Sequence, residues 1–207
     1  MIIAVDGPAA SGKGTIAKAL ARHYGLPHMD TGLLYRAAAL NLLRLGLDPE
    51  SEFHAARACD VSQIDFDDPD LRSEAVGGIA SRISAYTLVR HALLERQRHF
   101  AAQPGGAVLD GRDIGTVIAP EADAKLFVTA SAEVRARRRW EELRRNGLEA
   151  GLDDVLADIR ARDERDSARS AAPLRQADDA ELIDTSAMDI VAAIEAARAA
   201  VERQRLR

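Results

Sequence analysis

The apolar positions of this chain follow two alternating rhythms. Short runs of strand length occur at residues 2–5, 26–29, 107–110, 124–129 and 181–184. Such runs, bounded by turn residues, read as strands buried in a sheet. Between them lie longer segments with helical spacing, at residues 15–24, 31–45, 133–145, 152–166 and 188–203. In the second of these, Leu33, Leu34, Ala37, Ala38, Leu42 and Leu45 share one broad face, and Gly46 fits a C-terminal stop. Helical periodicity also runs from Leu71 to about Phe100, where Pro104-Gly105-Gly106 ends it. From Leu47 to Pro69 the pattern weakens, and Asp65, Asp67, Asp68 and Asp70 around Pro69 mark a surface turn. Strands alternating with helices predict an α/β domain with a parallel sheet covered on both faces. The expected organisation is one core (1–46, 99–130, 166–207) with two inserts, at 47–98 and 131–165.

Composition narrows the setting. The chain has 207 residues, enough for one domain with a sizeable core. Its net charge of −5 argues against a nucleic-acid binder. The lone Cys59 excludes an intrachain disulfide and suits a reducing compartment. No run is long and apolar enough to span a bilayer, and the start lacks the look of a signal peptide, so the cytoplasm is expected. Arginine carries nearly all the positive charge, with lysine at Lys13, Lys18 and Lys125. A lysine in such a background marks a place where a compact ammonium matters.

The first strand leads into Gly7-Pro8-Ala9-Ala10-Ser11-Gly12-Lys13-Gly14-Thr15, which opens a helix. This is a phosphate-binding loop in the context it requires. Its backbone N–H groups converge on phosphate oxygens, and Lys13 reaches the β- and γ-phosphates of ATP. Gly14 stands where a magnesium-binding hydroxyl normally follows the lysine. The metal is therefore expected to be held by phosphates and water, with Thr15 touching the α-phosphate. Asp110 ends the third strand beside the loop, placed to hold a water on Mg2+. No Asn-Lys-Xaa-Asp guanine motif occurs in the sequence, which argues against a GTPase.

Three more segments name the acceptor: Asp30-Thr31-Gly32-Leu33-Leu34-Tyr35-Arg36, Asp110-Gly111-Arg112-Asp113-Ile114-Gly115-Thr116, and Arg162-Asp163-Glu164-Arg165-Asp166-Ser167-Ala168-Arg169. An acceptor phosphate is largely dianionic at neutral pH, so it needs positive charge to approach a polyphosphate, not a general base. Arginine clamps phosphate bidentately. With the phosphate loop, these segments resemble, nearly end to end, the bacterial cytidylate kinases among the P-loop nucleoside monophosphate kinases. The resemblance implies a P-loop fold with five parallel strands in order 2-3-1-4-5. It implies transfer of the γ-phosphoryl of ATP to CMP or dCMP; a monomer is the default expectation. It assigns Thr31, Arg36, Arg112 and Arg169 to the CMP phosphate, Arg162 and Asp166 to the ribose, and Ser81, Arg90 and Asp113 to the cytosine edge. Lys13, Arg112, Arg165 and Arg169 are the implied catalytic set, and Arg139 an implied ATP contact.

Arg135, Arg137, Arg138 and Arg139 cannot share one helix face, so some are solvated surface. Trp140 is expected to pack the lid, and none of His23, His28, His54, His91 and His99 shows ligand spacing. Bacterial relatives carry a small β-sheet in the acceptor insert, whereas residues 60–74 are short and acidic here. The family's Pro-Xaa-Val-Arg is Thr87-Leu88-Val89-Arg90. Rival readings are a P-loop kinase for UMP, AMP or dephospho-CoA, and a silent nucleotide-binding module.

Overall fold

The structure is a computed structural model that describes residues 1–206. Five strands, β1 (Ile2–Asp6), β2 (His28–Asp30), β3 (Ala107–Gly111), β4 (Ala124–Thr129) and β5 (Glu181–Asp184), pair in parallel in the order 2-3-1-4-5. The expected topology is therefore observed. Because β1 is central and covered on both faces, its run is apolar throughout rather than alternating. Ile3 and Val5 face α1 (Lys13–Tyr24) and α8 (Ile190–Arg205), joining Ile16, Leu20, Leu126, Val128 and Ala197 in one core. Ala4, one residue out of phase, joins Leu109, Ile114 and Ile118 on the other face.

The helices between carry two further cores. α2 (Thr31–Arg44), α3 (Glu52–Arg57), α4 (Glu74–Ile83) and α5 (Thr87–Ala101) surround Leu34, Leu42, Ala55, Leu71, Ile83 and Leu93. α6 (Ala132–Arg145) and α7 (Leu152–Ala168) form a hairpin around Ala136, Leu143, Val155 and Ile159. Partly buried Ala10 of the phosphate loop and Trp140 pack on that hairpin. Trp140 donates from Nε1 to the Ala150 carbonyl at 2.9 Å, so it does pack the hairpin as expected.

Three local features differ from the periodicity reading. The helical stretch from Leu71 to Phe100 is broken into a 3-10 turn (Pro69–Arg72), α4 and α5. Ser84 causes the second break: its hydroxyl donates to the Ser81 carbonyl at 2.8 Å, tightening the last turn of α4. α3 lies in the stretch that seemed patternless. Six residues are too few to show a period, but Ser51 caps it by accepting from the His54 N–H at 3.3 Å. A π turn (Ile114–Ile118) follows β3, and periodicity gives no sign of it. The acidic segment holds no strand. Asp65 and Asp68 instead accept from the N–H of Asp67 and Asp70, both at 2.9 Å, as turn-forming side chains do.

Candidate active site

All strands end on the same edge, where ligands bind in open parallel sheets. The turn after β1 is the phosphate loop. At Gly7, with φ 153°, an added Cβ would stand 2.0 Å from the Val128 carbonyl oxygen, so only glycine fits. Ala10 (φ 58°) and Gly12 (φ 91°) take left-handed conformations that turn the loop back on itself. α1 then starts at Lys13 with no side-chain cap, leaving its first N–H groups for an anion. Lys13 Nζ lies 3.4 Å from the Pro8 carbonyl. Burial, and then the charge of Arg112, pushes its pKa down to about 7, while Asp110 and Asp30 oppose the shift. Ser11 Oγ is buried without a partner, and Thr15 is exposed in the first turn.

Asp30 and Asp110 are register partners at the ends of β2 and β3. Burial, then repulsion by Asp110, raises the pKa of Asp30, while Lys13 lowers it. His28 Nε2 holds Asp110 Oδ1 at 2.7 Å, a role that sequence spacing did not reveal. Asp110 Oδ2 looks toward Gly14, 3.7 Å from where a Cβ would stand. An aspartate with one free oxygen, beside a second carboxylate and no hydroxyl at residue 14, suits a hydrated magnesium carried on phosphates.

The acceptor side is built from four elements. Thr31 Oγ1 donates to the Asp110 carbonyl at 2.9 Å. Arg36 on α2 donates to the carbonyls of Leu71 (2.7 Å) and Ser73 (3.2 Å). Its guanidinium passes over Gly77, where a Cβ would stand 2.8 Å from Nη2. Arg112 Nε pairs with Asp166 at 2.8 Å. Burial opposes ionisation of Asp166, but Arg112 and Arg162 outweigh it and hold its pKa below the usual carboxylate range. Arg162 is pushed down to about 10 by burial and then by Arg112. Arg90, beyond the break between α4 and α5, pairs tightly with Asp113 and lies 6.0 Å from the Tyr35 ring. Arg169 donates from Nε to the Ala172 carbonyl at 2.6 Å and brings Nη2 to 3.8 Å from Asp113. Ser81 Oγ, Arg162 Nε and Arg169 Nη2 are buried polar atoms that make no hydrogen bond among the described residues. Between α2 and α6 lies a cleft of about 590 Å³, lined by Asp30, Arg36, Arg72, Arg139 and Arg145 among others.

The arginine run of α6 divides as its periodicity requires. Arg135 is buried and binds the carbonyls of Ala130 and Ala9 and, through both Nη atoms, Asp163. Arg138 binds Thr185 through its hydroxyl (3.0 Å) and carbonyl (2.7 Å). Arg139 faces the cleft, paired with Glu142 at 2.7 Å and with Glu74 on α4. Arg137 is exposed. Arg165 is also exposed on α7, near enough to Arg162 to act on its charge but without a hydrogen bond of its own among the described residues. Of the expected residues, Arg36 and Arg139 line this cleft, and Arg165 is exposed on α7.

Asp6, the last residue of β1, was not among the expected site residues. Its carboxylate accepts from the N–H of Ile114 and of Gly115, each at 2.8 Å. Burial, with Asp113 adding to it, raises its pKa to about 7 against the pull of those two bonds and of Arg112. A raised carboxyl pKa stabilises the fold below the unfolded value and loses that contribution as pH rises through the folded value. We therefore expect Asp6→Asn to remove a pH-dependent loss of stability between about pH 4 and 7, on the order of 4 kcal/mol. Denaturant unfolding of both proteins across that window checks it. A stability difference that does not change with pH would show that Asp6 ionises normally.

The comparisons with known proteins agree with this geometry. Residues 3–203 match the family profile described as cytidylate kinase. The chain is 61% identical to the cytidylate kinase of Xanthobacter autotrophicus, covering 99% of both chains. It is 57% identical to that of Methylocella silvestris, covering 98% of this chain and 94% of the other. Among solved structures it resembles an uncharacterized protein of Eubacterium ventriosum, with TM-score 0.57 and 16% identity over 98% of each chain, a likeness of fold. The chain belongs to the cytidylate kinase family, whose members phosphorylate CMP at the expense of ATP.

Proposed function

We propose that this cleft moves the γ-phosphoryl of ATP onto CMP or dCMP by in-line displacement, as a monomer in the cytoplasm. The observation that carries the reading is the set of buried polar atoms, Ser81 Oγ, Arg162 Nε and Arg169 Nη2, that make no hydrogen bond among the described residues, together with two Arg–Asp pairs. Native structures rarely leave such groups unsatisfied, so a ligand rich in acceptors belongs there.

Residues 7–15 hold the ATP phosphates, with Lys13 on the β- and γ-phosphates and Arg139 reaching them from α6. Arg36, Arg112 and Arg169 clamp the CMP phosphate, with Thr31 donating from its hydroxyl. Arg162 and Asp166 hold the ribose. An oxygen of the CMP phosphate attacks the γ-phosphorus while the bond to the ADP oxygen breaks. Negative charge moves to ADP, where Lys13 and the arginines, with Arg165 at the rim, stabilise it. Mg2+, held through water by Asp110, would neutralise the phosphates further. A panel of CMP, dCMP, UMP, AMP and dephospho-CoA with ATP tests the assignment. Fastest use of any acceptor other than a cytidine nucleotide would overturn it.

Closure of residues 131–165 excludes water, which would otherwise take the phosphoryl group. The α6–α7 hairpin has a small core, joined by Ala10 of the phosphate loop. We expect its amides to exchange quickly without ligand and to gain protection when a bisubstrate analogue is bound. Equal protection in both states would make the hairpin a fixed part of the fold.

A further inference from the structure

The phosphate loop and the acceptor loop must hold a fixed distance, because phosphoryl transfer tolerates little misplacement. Strand pairing fixes Asp6 against Gly111, but it stops there. The next residues, Arg112 and Asp113, leave the sheet before the π turn begins. Something else has to fix their backbone. The only side chain of β1 that hydrogen-bonds this turn is that of Asp6, with Ile114 N–H on one oxygen and Gly115 N–H on the other.

Geometry and packing make this a rigid clamp. Asp6 is 5% exposed, and Ile114 and Gly115 are buried. Gly115 has no spare room: an added Cβ would stand 3.2 Å from Lys125 Cδ and 3.5 Å from Asp6 Oδ2. The Lys125 stem is in turn fixed by its ammonium on Asp179 at 2.7 Å. The π turn itself closes through Ile118 N–H on the Asp113 carbonyl at 3.2 Å. The carboxylate, the turn and residue 113 therefore move as one piece. The chain reaches Gly7 directly after Asp6, so the same residue borders the phosphate loop.

We infer that Asp6 is a positioning residue, which sets Arg112 and Asp113 against the phosphate loop by clamping the amides of Ile114 and Gly115. It touches neither nucleotide, and the inference rests on the roles assigned above to Arg112 and Asp113. The clamp acts on the acceptor loop, so its loss falls on the acceptor more than on ATP. It supplies two acceptor oxygens to two donors. An amide of the same shape supplies one oxygen and turns an NH2 toward the second N–H.

The test uses Asp6→Asn, with Asp6→Ser as a second variant that leaves both amides short of a carboxylate. Burial already makes the neutral form of Asp6 affordable near pH 7, so the isosteric amide is compatible with folding. The expected result in both variants is a KM for CMP raised about tenfold or more, with KM for ATP changed less than about twofold. Amide exchange at Ile114 and Gly115 is expected to accelerate by about tenfold or more, with that of β1 and α1 unchanged. Unchanged exchange at both amides, or equal losses toward ATP and CMP, would overturn the inference. A wild type that failed to prefer CMP would overturn the base contact of Asp113 instead, and the exchange data and the ATP-to-CMP comparison would still decide the role of Asp6.

Discussion

Lys13→Ala is expected to fold normally and to lose about 10²- to 10³-fold in kcat/KM. The left-handed turns at Ala10 and Gly12 shape the loop, and the lysine side chain makes a single long hydrogen bond, to the Pro8 carbonyl, among the described residues. What the variant lacks is the mobile positive charge at the transferring phosphate. Lys13→Arg is also expected to fall well below the wild type, because a planar fork does not fit where a compact ammonium does. There is a pH signature. The Lys13 pKa is about 7, held down chiefly by burial. Phosphates favour the ammonium, so the lysine takes up a proton as ATP binds near neutral pH. ATP affinity then weakens as pH rises above 7. Calorimetry in buffers of different ionisation enthalpy reads the proton uptake directly. Uptake that persists in Lys13→Ala, or near-normal activity of that variant, would remove the lysine from the mechanism.

The second large effect is on base choice. Cytosine offers an amino donor and a ring-nitrogen acceptor. Asp113 accepts and Arg90 donates, and the structure places them side by side and buried. Uracil reverses both polarities. One buried mismatch costs about 1–3 kcal/mol, roughly 5- to 150-fold in kcat/KM. Wild-type enzyme is therefore expected to prefer CMP and dCMP to UMP by that order. Asp113→Asn is expected to narrow the gap, because an amide can present either polarity. Arg90→Met is expected to weaken CMP more than UMP. Equal kcat/KM for CMP and UMP in the wild type would contradict the base contacts while leaving phosphoryl transfer intact.

The sheet was legible because its strands are buried on both faces and so stand out as apolar runs. The phosphate loop was legible because its function is written in consecutive residues. The acceptor segments could be named from resemblance, but their meeting could not. Ser81 and Arg90 lie on separate helices, parted where Ser84 bonds back to the Ser81 carbonyl, and a helical period runs straight through that break. Asp6 and Ile114 are joined across 108 positions, with no spacing to signal it. His28 looked like one of five unremarkable histidines until β2 paired with β3 and set it against Asp110. The arginine run of α6 showed that its members must part company. It could not show that Arg135 turns inward to the Ala9 carbonyl while Arg139 turns to the cleft.

Several arginines in and around the expected site are paired with carboxylates. Arg112 holds Asp166, Arg90 holds Asp113, Arg135 holds Asp163 and Arg139 holds Glu74. Ligand binding is thus an exchange of anions and not the filling of a bare positive field. A small inorganic anion can compete for one such arginine at a time, and it leaves the displaced carboxylate stranded. A nucleotide reaches several at once and gives the freed carboxylates new donors in its sugar and base. Free phosphate and sulfate are thereby expected to be disfavoured by the internal ion pairs, before the shape of the pocket has any part in the choice.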